Sequence, residues 1–295
     1  AMPSVSPPKI ARLSRQLRGM GLKVQSLPSF AQLLGEEELI DQLSSVAAGQ
    51  FLGRDQISHH LQRADEAYRG KSILVSGAGG SIGSELCRQL LNYAPGRLVL
   101  YEVSEVALYN IDRELREKAE ACGVEIVPVL GSVTDSRLTR MVITANRIDV
   151  VFHAAAYKHV PLVEINPLAG LANNVLGTRT LAEVSHEAGV GRFILVSSDK
   201  AVRPTNVMGA SKRLAELVVQ DMAKRSRGTV FSMVRFGNVL GSSGSVIPLF
   251  KEQIARGGPV TLTHEDITRY FMTIAEAAQL VLLAGSFSDA ETSRG

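Results

Sequence analysis

The most constraining feature of this chain is a short apolar run that opens into a glycine turn. Ser72-Ile-Leu-Val-Ser76 leads straight into Gly77-Ala-Gly-Gly-Ser-Ile-Gly83, and a helix-length segment, Ser81–Asn92, follows. Glycines at 77, 80 and 83 suit a turn that needs positive φ or close approach of the backbone. The helix after such a turn aims its free N–H groups at a pyrophosphate. Glycines alone carry little weight, but strand, turn and helix in this order are the context that the motif requires. Gly77, Gly80, Ser81, Ile82 and Gly83 are therefore candidate cofactor contacts.

From Lys71 onward, short β-rich runs alternate with longer helical ones. The spacing predicts strands at Ser72–Ser76, Arg97–Glu102, Glu125–Val129, Val150–His153, Phe193–Ser197 and Thr229–Arg235. Helix-length segments, among them Ser104–Ala121 and Ser136–Ala145, lie between them. Strands separated by helices of this length imply βαβ units and a parallel sheet. Right-handed crossovers then place helices on both faces. The expected class is α/β, a Rossmann-type doubly wound parallel sheet with a smaller C-terminal substrate-binding lobe. The expected division is an N-terminal arm over 1–68, a dinucleotide-binding domain over 69–235 and the lobe over 236–295. The lobe is interleaved with the sheet domain and carries a helix around Ile274–Ser286.

The second strand ends at Glu102, about 20 residues after the glycines, where a carboxylate accepts hydrogen bonds from a ribose 2′-hydroxyl. It would repel a 2′-phosphate, and Val103-Ser-Glu-Val-Ala107 offers no arginine to bind one. NAD is favoured over NADP.

Composition narrows the function classes. A formal charge of +3 over 295 residues makes no case for a nucleic-acid partner. Two cysteines, Cys87 and Cys122, make no disulfide framework and point to a reducing, cytoplasmic setting. None of the six histidines forms an H-E-x-x-H pair, so no catalytic metal is expected. No stretch reaches the roughly 18 to 20 apolar residues of a membrane span. The opening Ala1-Met2-Pro3 reads as a processed tag, and the chain reads as a piece of a longer protein.

Six spaced motifs then agree in order. They are Gly77–Gly83, His153-Ala-Ala-Ala-Tyr-Lys-His-Val-Pro161, Ser197-Ser-Asp-Lys-Ala-Val-Arg-Pro204, Met208-Gly-Ala-Ser-Lys212, Arg235-Phe-Gly-Asn-Val-Leu-Gly-Ser242 and Ile267-Thr-Arg-Tyr-Phe-Met272. With them the chain, from Phe51 to its end, resembles the extended short-chain dehydrogenases. Within these it is similar to the large bacterial, membrane-anchored UDP-N-acetylglucosamine 4,6-dehydratases of surface-glycan biosynthesis. The resemblance implies hydride transfer from sugar C4 to NAD, loss of the C5 proton and the C6 hydroxyl as water, and return of hydride to C6. It implies Lys200 as the C5 base, Asp199 as the acid at O6, Ser198 near the C4 hydroxyl and Lys212 on the nicotinamide ribose. A lysine base calls for burial or neighbouring positive charge. Superfamily members ordinarily carry tyrosine where this chain has Met208, whereas methionine occurs there in the large dehydratases. With no tyrosine at O4, Asp199 is the best remaining base for that oxygen.

The resemblance also places Ser132, Val133, Ala154 and Ala155 along the cofactor. The family often has aspartate at 132, beside the adenine. Lys158 is implied at both cofactor and sugar, Glu164 at the sugar, and Asn238 and Arg269 at the diphosphate of a UDP-sugar. A homo-oligomer is expected, with no membrane contact by this portion. Two rival readings are a nucleotide-sugar 4-epimerase, which would want tyrosine at 208, and a catalytically silent NAD-binding regulatory module.

Overall fold

The structure, a computed structural model, describes residues 62–242, 246–261 and 271–287. Arg269 and nearly all of the N-terminal arm lie outside the described residues. The chain begins with α1 (Gln62–Tyr68), β1 (Ser72–Ser76), α2 (Ser81–Leu90), β2 (Arg97–Glu102), α3 (Glu105–Cys122), β3 (Glu125–Leu130) and α4 (Ser136–Ala145). Next come β4 (Val150–His153), the short helices α5 (Val160–Ile165) and α6 (Pro167–Leu171), a π-helical turn (Ala172–Leu176) and α7 (Gly177–Glu187). The chain continues with β5 (Arg192–Val196), α8 (Val207–Arg225), β6 (Val230–Val234), β7 (Asn238–Leu240), α9 (Val246–Ala255), β8 (Phe271–Thr273) and α10 (Ile274–Ser286).

Six parallel strands form one sheet in the order β3-β2-β1-β4-β5-β6. This is the doubly wound arrangement that the βα alternation predicts. The inner strands read as near-continuous apolar runs because helices cover both faces. Alternate residues divide between two cores. Ile73, Val75, Leu98, Leu100, Phe152 and Ile194 pack on one side, and Leu74, Val99, Val151, Phe193 and Leu195 on the other. Helix α10 joins the first core through Ala278, Val281 and Leu282. It is late in sequence yet part of the sheet's own packing.

Local signals set the helix ends. Ser104, Asp135 and Asn206 accept hydrogen bonds from Ala107, Leu138 and Gly209 N–H groups, capping α3, α4 and α8. Thr273 and Glu276 form a reciprocal capping box on α10. The helix expected over Ser81–Asn92 ends its α-helical part at Leu90 and tightens into a 3-10 turn, Leu91–Tyr93. Such tightening is usual at a helix C-terminus, where carbonyls lack partners.

The sheet registers Ser76 against both Tyr101 and His153, and His153 against Leu195. The carboxyl ends of β2, β1, β4 and β5 therefore share one edge. Strand order reverses between β1 and β4, and in such sheets the crevice outside that point takes the ligand. Strands β7 and β8 form a separate parallel pair, with Asn238 opposite Phe271.

Candidate active site

The glycine turn sits at the reversal point. Gly77 has φ +68°, and a Cβ there would lie 2.7 Å from Ala155 N. A Cβ at Gly83 would lie 2.0 Å from the carbonyl oxygen of Gly77. Any side chain at 83 would thus push the turn off the first turn of α2. Gly80, the N-cap of α2, has no side chain with which to cap it. This leaves a backbone concavity next to a helix N-terminus, suited to an anionic group.

Glu102 closes one side of the concavity and is 8% exposed. Its carboxylate accepts from the N–H groups of Gly79 (3.0 Å), Val103 (2.9 Å) and Ser104 (3.0 Å). A carboxylate has about four acceptor sites. Three serve the protein, so Glu102 supports the turn as well as facing the cleft. Ser132, expected beside the adenine, turns its hydroxyl to Thr134 Oγ1 at 2.8 Å. Val133 is buried in the second core.

A buried polar chain links the turn to the middle of the sheet. Ala155 N donates to Ser76 Oγ (3.4 Å), Ser76 Oγ meets His153 Nδ1 (2.7 Å), and His153 Nε2 meets Thr178 Oγ1 (2.8 Å). Thr178 donates to Asn174 O at 2.7 Å. Its single proton is then committed, so His153 Nε2 is the donor to Thr178 and Nδ1 accepts from Ser76. Burial, then the charge of Lys212, hold the imidazole at about 3, so it stays neutral. Asn174 lies in the π-helical turn, accepts from Tyr157 N (2.7 Å), and donates to Tyr157 O and Ser211 Oγ, both at 2.9 Å. It joins the loop after β4 to α8. His153 was visible in a motif but carried no assigned role. Asn174 was missed, although two asparagines inside a helical stretch are poor helix formers.

The strip after β5 gathers four of the predicted residues. Ser198 Oγ donates to Asp199 Oδ1 (3.0 Å) and accepts from Lys200 N (3.2 Å). Lys200 Nζ donates to Asp199 Oδ1 (3.1 Å) and Asn238 Oδ1 (3.2 Å). A lysine that acts as a base is expected to be buried or to lie beside positive charge. The structure corrects this: Lys200 is about a third exposed, and the charged group bonded to it is the carboxylate of Asp199. A cation and a carboxylate in contact can exchange a proton or serve two neighbouring atoms of one bound molecule.

Lys212 is buried on α8 and gives one of its donors to Val196 O at 2.7 Å. Burial pulls its ammonium down to about 8, against the opposing charge of Glu216. Met208, one turn earlier, is buried, and its carbonyl accepts from Ser211 Oγ at 2.7 Å. Lys158 lies exposed in the loop before α5, and loss of some of its water to the surrounding protein lowers its pKa. Glu164, expected at the sugar, accepts from Val207 N at 2.7 Å, at the start of α8. Asn238, expected at the diphosphate, stands against Lys200.

Among the described residues no group of histidine, cysteine and acidic side chains could hold a metal, and no helix is long and apolar enough to cross a membrane. This fold, with this cleft and strip, defines an extended short-chain dehydrogenase domain. The chain belongs to the polysaccharide biosynthesis protein family, which matches residues 73–292. It is 43% identical to the capsular polysaccharide biosynthesis protein CapD of Staphylococcus aureus, over 98% of this chain and 48% of that protein. It is 32% identical to a UDP-N-acetylglucosamine 4,6-dehydratase (inverting) of Campylobacter jejuni, over 73% of this chain and 63% of that one. The solved structure of Pen from Bacillus thuringiensis superposes with a TM-score of 0.68 at 33% identity, covering 74% of this chain and 67% of that one. The chain spans about half the length of the first curated relatives it matches.

Proposed function

We propose that this chain is the catalytic domain of an NAD-dependent nucleotide-sugar 4,6-dehydratase acting on UDP-N-acetylglucosamine. The observation that carries this reading is the Asp199–Lys200 pair, held by Ser198 and Asn238 at the carboxyl end of β5. An acid and a base side by side suit the removal of water across C5 and C6. The relative that shares 32% identity and bears this activity in its name supports the substrate.

The cleft fits NAD: Gly77 and Gly83, where a Cβ would strike Ala155 N and the Gly77 carbonyl oxygen, let the turn lie tight against the start of α2, and Glu102 holds the N–H of Gly79 beside it. The turn Gly77–Gly83, Glu102, Ala154, Ala155 and Lys212 would hold the cofactor. Bound there, NAD would take hydride from sugar C4 and return it to C6. Asp199 would take the O4 proton as C4 becomes a ketone and pass it to the departing O6, while Lys200 would remove the C5 proton and return a proton to C5 as hydride reaches C6. Ser198 would orient the sugar at O4. Lys158 would reach the cofactor and the sugar, and Arg269 would pair with the diphosphate. The free thiols Cys87 and Cys122 suit a reducing compartment, and we place the domain in the cytoplasm.

Mass spectrometry of the full-length protein incubated with NAD and UDP-N-acetylglucosamine tests the reading. Loss of one water from the sugar nucleotide is expected. A product of unchanged mass but altered C4 configuration would make the protein an epimerase, and no turnover of UDP-sugars would leave only a binding module.

Glu102→Ala should weaken NAD binding and relax rejection of NADP. It removes the acceptor at the ribose and leaves the Gly79, Val103 and Ser104 N–H groups without their partner. Loss of a charged hydrogen bond costs about 1.5–3 kcal/mol, or roughly 10- to 150-fold in Kd. Titration calorimetry with both dinucleotides reads this, and wild type preferring NADP would sink the argument.

Met208→Leu should keep most of the turnover. The side chain is buried, a thioether moves no proton, and a volume-conserving exchange costs under about 1.5 kcal/mol. Initial rates decide the point. A fall of several orders of magnitude in a folded variant would show that the sulfur itself has a role.

A further inference from the structure

We propose that Glu216 is a positioning residue for the reaction: its buried carboxylate gathers Ser197, Arg213 and Arg235, and so fixes the three segments that carry Asp199 and Lys200, Lys212, and Asn238.

Glu216 lies on α8, one turn after Lys212, and is fully buried. One carboxylate oxygen accepts from Ser197 Oγ (2.6 Å) and Arg235 Nε (2.7 Å). The other accepts from Arg235 Nη2 (2.5 Å) and Arg213 Nη1 (2.9 Å). The carboxylate's hydrogen-bonding capacity is thereby filled. A carboxylate out of water is tolerated only when paired in this way, so its donors cannot drift apart without cost. Burial pushes its carboxyl up, but hydrogen bonds from Arg235, Ser197 and Arg213 prevail and hold it at about 2. It is therefore a fixed negative charge at neutral pH.

The donors come from the places where the reacting side chains attach. Ser197 directly precedes Ser198. Arg235 directly follows β6 and stands three residues before Asn238. Two backbone hydrogen bonds, Ser197 N to Val234 O (2.7 Å) and Asp199 N to Phe236 O (3.0 Å), join the same two segments. The contact of Lys200 with Asn238 (3.2 Å) bridges them further out. Glu216 is thus the inner anchor of a spacing whose outer end is the Lys200–Asn238 contact. It acts through its neighbours and touches no group assigned to the sugar.

The inference rests on the dehydratase reading for its kinetic test alone. The test uses the full-length protein with Glu216→Gln, Ser197→Ala and the pair combined. For Glu216→Gln, kcat should fall about 10²-fold, the effect of roughly an ångström of misplacement, with KM unchanged within about twofold. Ser197→Ala leaves both arginine pairs intact and should show a smaller loss in the same direction. It carries the test if Glu216→Gln fails to fold. The combined variant should be no worse than Glu216→Gln, because the two residues act as a unit. Hydrogen–deuterium exchange supplies an arm that needs no turnover. Peptides over 196–201 and 235–240 should exchange faster in both variants, while β1 and β4 stay protected. Unchanged exchange in those peptides overturns the proposal whatever the rates do, and so does faster exchange with wild-type kcat. A folded wild type that dehydrates no UDP-sugar would sink the functional reading instead, and the exchange arm would then decide on Glu216.

Discussion

Lys200→Met should abolish formation of the 4-keto-6-deoxy product while leaving NAD binding intact. Methionine keeps the length of the side chain and removes the atom assigned to take the C5 proton. The glycine turn, Glu102 and Lys212 lie on other elements and should be undisturbed. Loss of a general base costs about 10²–10⁴-fold in rate. Asp199 and Asn238 also lose their contact with Nζ, so the upper part of that range is expected. Deuterated water gives a second measurement. The wild type should place deuterium at C5, since the carbon beside the ketone exchanges its proton through the base. The variant should leave C5 unlabelled. A Lys200→Met protein with near-normal turnover and C5 labelling would exclude Lys200 as the base and move the role to Asp199.

Gly83→Ala should weaken NAD binding on the same scale as loss of the Glu102 carboxylate. The new methyl would lie 2.0 Å from the carbonyl oxygen of Gly77 and 2.7 Å from its carbon. Both are backbone atoms and have no rotamer with which to escape. Either the turn opens or α2 slides outward, and both moves spoil the concavity. Forced overpacking of this kind costs about 1–3 kcal/mol, which is roughly 5- to 150-fold in Kd if borne by the bound state. Calorimetry with NAD measures the loss, and a thermal melt separates it from unfolding, because the sheet core does not involve this contact. An alanine variant that binds NAD as tightly as wild type would show that the turn does not carry the pyrophosphate.

Much of the fold is legible in the chain. The strands at Ser72–Ser76, Arg97–Glu102 and Val150–His153 run over the very residues that the apolar pattern marks. A strand covered on both faces reads as a near-continuous apolar run, and a segment that short and that apolar has few other uses. The strand expected over Phe193–Ser197 lies one residue earlier, at Arg192–Val196. An arginine can occupy the start of a strand with its charge in water, and apolar patterning does not see it. The cluster of Ser198, Asp199 and Lys200 was legible for a similar reason: three adjacent residues at a strand end stay together in any fold that contains the strand.

The partners of those residues were not legible. Along the chain Glu164 reads as a sugar contact ahead of a solvated charge, and only the packing of α5 against α8 sets it on Val207 N. Asn174 and Ser211 meet across 37 residues, and Glu216 meets Arg235 across 19. Such pairs depend on sheet register and on which helix faces turn toward one another.

By itself, then, the sequence determined the elements, the parallel sheet, the glycine cleft and the residue types able to do chemistry. Each of these follows from local sterics, from burial on two faces, or from neighbours along the chain. Packing alone sets Asn238 against Lys200, makes His153 a neutral link between Ser76 and Thr178, and lets Glu216 gather the ends of β5 and β6. A hydrogen bond needs its two atoms within about 3 Å, and for groups far apart in sequence that condition is met only once the chain has packed.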